Sequence, residues 1–537
     1  MTFRLCLLLL FLAWAALYLP ALGKPELRGE EIRRILPAQG ILESGDWVVP
    51  RIAGEVYANK PPLINWAIAG LFSITGSQSE TSARLVSAIS ILVLALSAFF
   101  LPRKVWGNDD ALLVALALLT TLTLISNGRL IEIEALFTAL TGLGTLFWIR
   151  LWTSRSSPWL VWTLPYLFLG FACLAKGPVH LLFWFSLVIG ALLFTREMRS
   201  FFHPAHFLGI FLMVAIFLPW MILNIEAVGS GDSSIGNWVE EFTMRGDVSR
   251  MEWDRWLTNP FKIPGGFLPW TVPLFFSIWF LWKGKIRFDR TERRDAVIAG
   301  SLAALGIGYV IVCLLPMGVP RYLIPAYPLA ALATVDLFSR LPSSPRIAYE
   351  RFGLKANRLL WWVFLIALPV MATLVWKRGE TSPLPWIAAA LVAVAFLPKL
   401  TFLRTENRRV LRDTALLIAA GGMGLLPAMQ VFQGENDLFR KASAEIASKL
   451  PDEGRVTIYA DAEFRNRLTK HLRLLFYLRD PVTGIGENGH LPDDTRLFMG
   501  QEEKREAMQN KLEGRSIDTE ETLTIRGVTF LLFHLKG

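Results

Sequence analysis

The 537-residue chain has little of what a water-soluble protein needs on its surface. Only 19% of its residues are charged and six are histidines, whereas 53% are hydrophobic. That apolar fraction is too high for a soluble multidomain protein of this length. The three cysteines, Cys6, Cys173 and Cys313, lie in or beside apolar runs, which indicates buried side chains and argues against a disulfide framework or a thiolate metal site. Most of the chain must therefore face lipid.

The chain also lacks the local motifs of several common protein classes. It has no low-complexity tract, no phosphate-cradling glycine motif, no nucleophile elbow and no His/Cys metal spacing. A net charge of +10 suits a nucleic-acid partner when the basic residues form one continuous face. Here they occur in short tracts between apolar runs, which indicates topology signals and predicts no nucleic-acid partner.

Apolar runs long enough to cross a membrane as helices are the main positive feature of the sequence. About thirteen are predicted, at 5–22, 81–101, 109–126, 133–149, 158–174, 179–195, 207–225, 266–282, 296–315, 322–338, 359–376, 384–398 and 414–431. The first run is either a cleaved signal peptide ending near Gly23 or a retained span. Its length, together with Trp14, Tyr18 and Pro20, favours a retained span. We therefore predict an α-helical polytopic membrane protein.

The connectors between the apolar runs alternate in charge. Lys/Arg-rich connectors recur at 103–104, 150–155, 196–199, 283–294, 346–358 and 399–412. Connectors of this kind stay in the cytoplasm, so the loops at about 23–80 and 226–265 and the polar tail share the outer side. We predict a membrane domain over 1–432, with both outer loops on its active face, and a small extracytoplasmic α/β domain over 437–537.

The tail is predicted to be α/β from its local patterns. Charges are spread throughout it, in contrast to the apolar runs before it. A helical pattern covers Asp437–Leu450, and short strand-type runs follow at Val456–Tyr459, Leu474–Leu478 and Val528–Phe533. These elements are enough for one small soluble domain.

The first outer loop, residues 23–80 and called loop one below, carries three polar motifs. It reads Glu30-Glu31-Ile-Arg33-Arg34, then Ser44-Gly-Asp-Trp-Val-Val-Pro50, then Tyr57-Ala-Asn-Lys60-Pro-Pro. The first motif has helical spacing and is followed by a turn at Gly45. An amphipathic segment of this kind is typical of helices that lie along a membrane surface. It would hold carboxylates and cations at the level of the lipid headgroups.

At these motifs the chain resembles membrane glycosyltransferases of the GT-C type. This group includes the protein O-mannosyltransferases and, more closely similar, the ArnT-type transferases that place aminoarabinose on lipid A. Their first outer loop has an Asp-Glu-x-Arg motif, a Ser-Gly-Asp-Trp-x-x-Pro segment and a Tyr-x-x-Lys-Pro-Pro segment in this order. Similar landmarks continue over about residues 5–340, namely Arg129 to Glu134-Ala-Leu, Ala175-Lys176-Gly-Pro, Leu218-Pro-Trp, Leu268-Pro-Trp and Pro320-Arg321-Tyr322-Leu-Ile-Pro325.

The resemblance implies a role for each matching residue of loop one. Glu30 stands at the family's catalytic aspartate, Glu31 at its neighbour, Arg33 at its arginine and Lys60 at its lysine. Glutamate is one methylene longer than aspartate, so the carboxylate of Glu30 is displaced by more than about 1 Å. Asn59 stands where ArnT-type enzymes commonly have a glutamate implicated in binding a metal. We therefore predict no cofactor, and a divalent metal is not supported.

The same residue types suit the chemistry independently of the family. A sugar that leaves a polyprenyl phosphate departs from a phosphate ester anion, which Arg33 and Lys60 can stabilise, the arginine through two hydrogen bonds. The acceptor needs a carboxylate to take or orient its proton, and Glu30 can do so as a general base. The structural alternatives are a solvated helix face that pairs Glu30 with Arg34, and a plain loop lysine at position 60.

Five further residues belong to the later landmarks. Glu134 lies near the outer end of a span, where it is costly if it faces lipid, so we predict a catalytic role inside the helix bundle. Arg129, Lys176, Arg321 and Tyr322 are predicted to bind substrate, as are Glu31, Arg33 and Lys60 of loop one. Lys176 can alternatively extend to the membrane interface, and Arg321 can alternatively bind a lipid headgroup or anchor the topology.

These observations predict an inverting glycosyltransferase in the inner (plasma) membrane, surrounded by membrane lipids. The donor would be a polyprenyl-phosphate-linked sugar, and the acceptor a lipid A-like lipid, a glycan or a protein on the periplasmic, extracytoplasmic side. We expect Glu30, Arg33 and Lys60 to converge with Glu134 on one cavity. The alternatives are a secondary transporter, which needs ionisable residues or helix breaks at mid-span, and a catalytically inactive homologue that binds lipid or glycan.

The predicted topology can be tested in intact cells. Single cysteines introduced into 24–80, 226–265 and 437–537 should react with a membrane-impermeant thiol reagent, because the charge alternation predicts that all three segments lie outside. Cysteines in the Lys/Arg-rich connectors 283–294 and 346–358 serve as matched controls and should be protected. If the tail is protected from the reagent, it lies in the cytoplasm, and the predicted odd number of spans is wrong.

Overall fold

The structure is a computed structural model. It describes the chain except residues 54, 58–59, 230–235, 237–242, 245–246, 248, 250, 379–381, 396–408, 434–436, 449–454, 462–470, 479–481, 488, 513 and 537. Part of the second predicted outer loop, 226–265, and Asn59 of loop one therefore lie outside the described residues. The following description concerns the remainder of the chain.

The chain forms two compact units, each described by itself. The helical unit contains Met1–Leu22, Arg84–Leu223 and Ile235–Val431. The mixed unit contains Gly23–Ala83, Asn224–Ser234 and Phe432–Gly537. The mixed unit thus combines loop one with the C-terminal tail, although the two are far apart in the sequence. The division into 1–432 and 437–537, drawn along the chain, stays a proposal.

Helices dominate the described residues. In chain order they are α1 (Phe3–Tyr18), α2 (Gly29–Ser44), α3 (Leu63–Thr75), α4 (Glu80–Phe100), α5 (Arg103–Leu119), α6 (Leu122–Gly128), α7 (Ile133–Thr153), α8 (Pro158–Lys176), α9 (Leu181–Thr195), α10 (Pro204–Val228), α11 (Trp253–Gly266), α12 (Thr271–Trp282), α13 (Arg293–Leu314), α14 (Tyr327–Ser339), α15 (Ser343–Lys377), α16 (Leu384–Ala395), α17 (Arg409–Gln433), α18 (Leu438–Ser448), α19 (Arg473–Tyr477) and α20 (Arg505–Lys511). Short 3-10 helices at Pro178–His180, Met198–Phe202, Pro320–Ala326 and Glu502–Lys504 connect some of them.

The predicted apolar runs correspond to helices that could cross a membrane. Among the described residues nine helices are long and apolar enough to do so, and two bent pairs, α5 with α6 and α11 with α12, raise the number to as many as eleven. The shorter apolar helices α1 and α16 coincide with the first and twelfth predicted runs. The polytopic helical fold is therefore confirmed, whereas the count of thirteen stays a prediction.

The two bent pairs satisfy each other's polar groups at their breaks. The pair α5–α6 bends by 63° and the pair α11–α12 by 97°. At the first break the Thr120 hydroxyl donates to the Leu116 carbonyl and accepts from Trp270 Nε1 at 3.2 Å. The Leu122 amide donates to the Leu268 carbonyl at 3.1 Å. Broken helices are tolerated among apolar helices when neighbouring groups satisfy the freed backbone in this way.

The tail forms the α/β fold that its pattern predicts. Its strands are β3 (Arg455–Tyr459), β4 (Val482–Ile485), β5 (Thr495–Gln501), β6 (Ile517–Ile525) and β7 (Val528–Leu535), ordered β4-β3-β5-β7-β6. Strand β3 is parallel to β4 and β5, whereas β7 is antiparallel to β5 and β6. Helix α18 confirms the predicted helix over Asp437–Leu450.

One predicted strand in the tail is wrong. The run Leu474–Leu478 belongs to α19, because a short apolar run has no periodicity that separates a strand from a buried helical turn. The helical turn buries Leu474 and Phe476 and brings Arg473 and Tyr477, four residues apart, to one side. Both of these side chains contact loop one, as described below.

Loop one contains two helices and a small sheet. Helix α2 has the predicted helical spacing and ends at Gly45, whose φ of 72° is left-handed as the predicted turn requires. Strands β1 (Arg51–Ile52) and β2 (Glu55–Val56) then pair antiparallel. Helix α3 was not predicted from the sequence. It is apolar but has only 13 residues, which is too short for a helix that spans a bilayer.

Candidate active site

Helix α2 holds the first three predicted loop-one residues within its first two turns. Glu31 is 1% exposed, and its carboxylate accepts a hydrogen bond from the Arg28 amide at 2.8 Å, which caps the start of the helix. Glu30 is 46% exposed, with its two carboxylate oxygens 3.2 Å from Arg33 Nη1 and 3.5 Å from Arg34 Nη2. Of the two adjacent carboxylates, Glu30 is therefore the accessible one and Glu31 the one that fixes the helix.

Arg34 joins the first loop-one motif to the third. The side chain is buried, and its Nη1 donates to the Tyr57 hydroxyl at 3.0 Å. The Arg34 carbonyl accepts a hydrogen bond from Asn65 Nδ2 at 2.8 Å, from helix α3. The pairing of Glu30 with Arg34 that the structural alternative proposes is present, but Arg34 also ties the Tyr57 segment to α2. Sequence reasoning did not include Arg34 among the site residues.

The second motif of loop one forms a turn that supports the third. Asp46 Oδ1 accepts from the Val48 and Val49 amides at 2.9 and 3.0 Å. The Trp47 carbonyl accepts from Trp66 Nε1 at 2.8 Å. Lys60 is half-buried between β2 and α3, three residues before the first residue of α3. The three motifs are thus parts of one folded structure, although they are separated in the sequence.

The C-terminal domain is fastened to loop one by a buried ion pair. The Glu26 carboxylate accepts from the Phe439 and Arg440 amides, at the start of α18, at 2.8 and 3.1 Å, and from Arg473 Nη1 at 2.9 Å. The side chains of Glu26 and Arg473 are each 7% exposed. Glu26 lies four residues before Glu30, so this contact anchors the chain that leads into α2.

A second contact of the C-terminal domain surrounds the same segment. Arg440 donates to the carbonyls of Lys24 and Gly23 at 2.7 and 3.2 Å and pairs with Glu80. Burial lowers the pKa of Arg440, but the hydrogen bond and charge of Glu80 outweigh it and hold that pKa above its usual value. The Tyr477 hydroxyl accepts from the Leu27 amide at 2.8 Å. Together with Glu26 and Arg473, these groups form what we call the Glu26 clasp.

The helical unit contains a separate acidic and basic cluster, formed by Glu134, Lys176, Arg321 and Tyr322. Glu134, in the first turn of α7, is 4% exposed and accepts from Lys176 Nζ at 2.8 Å. Arg321 Nε lies 3.6 Å from the same carboxylate oxygen, and its side chain is 49% exposed. Lys176 Nζ also lies 5.5 Å from the centroid of the Tyr322 ring. The sequence assigned all four residues to the site, and the fold brings them together.

Arg129 was predicted to bind substrate, but in the structure its side chain contacts the end of α1. It is 7% exposed and donates to the Leu17 and Pro20 carbonyls, both at 2.7 Å, at the end of α1. Leu17 is in the last turn of α1, where backbone carbonyls lack partners within the helix, and a guanidinium is well suited to satisfy them. The geometry gives Arg129 a structural role, and substrate binding by it stays a prediction.

The predicted residues thus form two groups. Glu30, Glu31, Arg33 and Lys60 belong to the mixed unit, whereas Glu134, Lys176, Arg321 and Tyr322 belong to the helical unit. Their convergence on one cavity stays a prediction. Within the described part of the chain, no three His, Cys, Asp or Glu side chains are grouped so as to hold a metal ion.

Comparisons with known proteins extend the resemblance predicted from loop one. Residues 59–223 match the family described as dolichyl-phosphate-mannose-protein mannosyltransferase. The chain is 27% identical over 375 residues to the undecaprenyl phosphate-alpha-4-amino-4-deoxy-L-arabinose arabinosyl transferase of Pseudomonas aeruginosa strain LESB58, which covers 68% of this chain and 65% of that protein. It is 26% identical to a protein of Aquifex aeolicus over 63% of this chain and 62% of the relative. The chain thus spans slightly less than two thirds of these relatives' length.

The fold is similar to that of ArnT from Cupriavidus metallidurans bound to undecaprenyl phosphate. The TM-score is 0.68 at 18% sequence identity, over 99% of this chain and 98% of that one. The same protein in the apo state gives a TM-score of 0.67. The chain is therefore a polytopic membrane protein with the GT-C fold. More particularly, it is ArnT-like in sequence and in fold, which confirms the resemblance found in loop one.

The Glu26 clasp can be tested by removing its carboxylate. Glu26→Ala leaves Arg473 buried without its ion-pair partner and two α18 amides without their acceptor, so the mixed unit should lose about 3–5 kcal/mol. Hydrogen exchange of α18 in the purified full chain should increase accordingly. Glu503→Ala, at an exposed position of the same domain, is the control and should leave exchange unchanged. Equal protection of α18 in the wild type and Glu26→Ala would contradict the clasp.

Proposed function

We propose that this chain is an inverting glycosyltransferase that moves a hexosyl or pentosyl group from a polyprenyl-phosphate donor to an acceptor. The observation that carries the proposal is the exposed carboxylate of Glu30, held beside Arg33 on a helix of loop one. The similar proteins support the donor class. One is named as an undecaprenyl phosphate-alpha-4-amino-4-deoxy-L-arabinose arabinosyl transferase, and the ArnT of the solved structure is bound to undecaprenyl phosphate.

The proposed chemistry requires cations for the leaving group. When the bond between the anomeric carbon and the donor phosphate breaks, the electron pair remains on a phosphate oxygen, and negative charge increases there. Arg33 and Lys60 are the proposed partners of that phosphate, since charge-assisted hydrogen bonds to it strengthen as the charge develops. Arg321 is a further candidate, because about half of its side chain is exposed while its Nε remains near Glu134.

The acceptor requires a proton acceptor or an orienting group. In an inverting transfer the acceptor oxygen attacks the anomeric carbon from the face opposite the phosphate, and its proton must leave. We assign that proton to the Glu30 carboxylate, whose exposure leaves it accessible to a bound acceptor. Glu134 is buried and accepts a hydrogen bond from Lys176. Its carboxylate is therefore better suited to position the ammonium group of Lys176 than to exchange protons with solvent.

The proposed setting is the periplasmic face of the inner membrane. The alternating Lys/Arg-rich connectors support it, because they predict that loop one and the tail lie outside. The acceptor is proposed to be a lipid A-like lipid, a glycan or a protein. A transporter is not favoured, because Glu134, Asp295 and Asp336 lie in the first or last turns of their helices and not at mid-span.

The general-base assignment predicts a specific kinetic change. Glu30→Gln should preserve the fold and donor binding but lower kcat by roughly 10²–10⁴, the usual contribution of general-base catalysis. The measurement is sugar transfer by the reconstituted full chain. Glu43→Gln, which changes an exposed glutamate of the same helix, is the matched control and should be near wild type. Full transfer by Glu30→Gln would remove the assignment and make Glu31 or Glu134 the next candidate.

The donor-binding assignment predicts a different change. Lys60→Ala should raise KM for the donor more than it lowers kcat, because the contact with phosphate exists before the transition state forms. Lys536→Ala removes an exposed lysine of the C-terminal domain and should leave both constants unchanged. An unchanged donor KM in Lys60→Ala would indicate that Lys60 is a loop lysine without a substrate contact.

Metal dependence provides a third test of the proposed chemistry. Because Asn59 replaces the glutamate that ArnT-type enzymes commonly have before the lysine, a chelator should have little effect on transfer. Activity of the reconstituted protein with and without EDTA would measure this directly. Loss of activity on chelation, restored by added divalent cation, would contradict the prediction.

A further inference from the structure

A basic cavity lies at the C-terminal end of α7, at the opposite end of this helix from Glu134. Its volume is about 630 Å³. The walls come from the α7–α8 connector, the start of α8, the α9–α10 connector and the start of α13, all in the helical unit. Helix α7 has 21 residues, so its two ends are about 30 Å apart. Glu134 is at one end of this helix and Trp152, in the wall of the cavity, is at the other.

One arginine of the cavity is already neutralised. Arg293 Nη2 lies 3.0 and 2.8 Å from the two carboxylate oxygens of Glu197. Arg293 Nη1 donates to the Trp152 carbonyl at 2.6 Å, and its guanidinium lies 4.8 Å from the Trp152 ring centroid. These contacts build one wall of the cavity, and they leave no net charge on it.

Two further arginines add uncompensated charge. Arg196 and Arg199 also line the cavity, and both are exposed. Neither forms an ion pair with another residue in the described ranges. Since Glu197 is matched by Arg293, the lining has a net charge of about +2, which suits an anion with several oxygen acceptors.

The remaining walls are apolar and aromatic. Val161 and Trp162 are buried in them, and Trp162 Nε1 donates to the Ser200 hydroxyl at 3.3 Å. Trp159 and Phe202 are close in sequence to these wall residues, and 52% and 67% of their surfaces are exposed. Both lie on the outside of a helix bundle that we treat as membrane-embedded. A ligand that combines phosphate oxygens with an apolar body, and that arrives laterally through the bilayer, fits this combination of walls.

We propose that this cavity binds the phosphate-containing headgroup of an anionic phospholipid. In the predicted topology the cavity opens at the cytoplasmic leaflet, since Arg196, Arg199 and Arg293 belong to the Lys/Arg-rich connectors. Arg196 and Arg199 bind the phosphate, and the exposed Pro158 of the lining, which lies beside the buried Val161 and Trp162, contacts the glycerol and the first methylenes of the acyl chains. The site does not depend on sugar transfer and lies at the other end of α7 from Glu134.

Lipid retention by the full-length protein tests the proposal. The chain is exchanged into nanodiscs or detergent with phosphatidylglycerol or phosphatidylcholine, and bound lipid is measured by native mass spectrometry. The wild type should retain phosphatidylglycerol in preference to phosphatidylcholine. The double variant Arg196→Gln/Arg199→Gln should bind phosphatidylglycerol roughly 30-fold more weakly, as expected from the loss of two attractions between arginine and lipid phosphate.

Two control variants separate the site from general surface charge. Arg351→Gln/Arg358→Gln removes two exposed arginines from another Lys/Arg-rich connector and should retain the wild-type preference. Arg196→Lys/Arg199→Lys keeps the charge and should restore most of the binding. Thermal melting of each variant identifies any variant that fails to fold. If Arg196→Gln/Arg199→Gln fails to fold, Arg196→Lys/Arg199→Lys replaces it in the binding measurement.

Each remaining outcome would overturn the proposal. Equal retention of phosphatidylglycerol by the wild type and Arg196→Gln/Arg199→Gln would show that the cavity does not bind it. Equal retention of phosphatidylcholine by the wild type would exclude recognition of the anionic headgroup. Displacement of the lipid by millimolar inorganic phosphate would indicate a site for a soluble anion instead.

Discussion

An ionisable side chain among apolar helices is stable only when it is paired, and this constraint organises the helical unit. Glu134 joins α7 to the end of α8 through Lys176 and approaches Arg321. Asp336, fully buried in α14, accepts from Trp106 and pairs with Arg294 and Arg340 in the same way. Each pair holds the ends of two or more helices together, so these buried charges contribute to the stability of the bundle.

The same constraint explains why loop one and the C-terminal tail form one unit. Glu26 and Arg473 are 447 positions apart, and the buried guanidinium of Arg473 would lose its carboxylate partner without Glu26. Their pairing fixes the residues that lead into α2, whose Glu30 is the proposed base. The C-terminal tail therefore holds the segment that leads into α2, the helix that carries the proposed base.

Much of the fold follows from local properties of the sequence. Apolar runs predicted the positions of the long helices, because burial in lipid requires about 20 apolar residues in succession. The loop-one motifs predicted the helix over Glu31–Ala38, the turn at Gly45 and the ArnT-like character. Local patterns failed at Leu474–Leu478, which is helical, and at α3, an apolar helix too short to span. In both places tertiary contacts decided a conformation that a short apolar run leaves open.

The sequence by itself determined the membrane class, the order of the helices and the residue types of the candidate site, because hydrophobicity and short motifs are local. Only the tertiary structure decided which of two adjacent glutamates is accessible, that Arg129 caps α1, and that Lys176 pairs with Glu134. The same is true of the Glu26 clasp and of the basic cavity at the end of α7. These are pairings between distant positions, and the energy of a buried charge depends on a partner that no local pattern identifies.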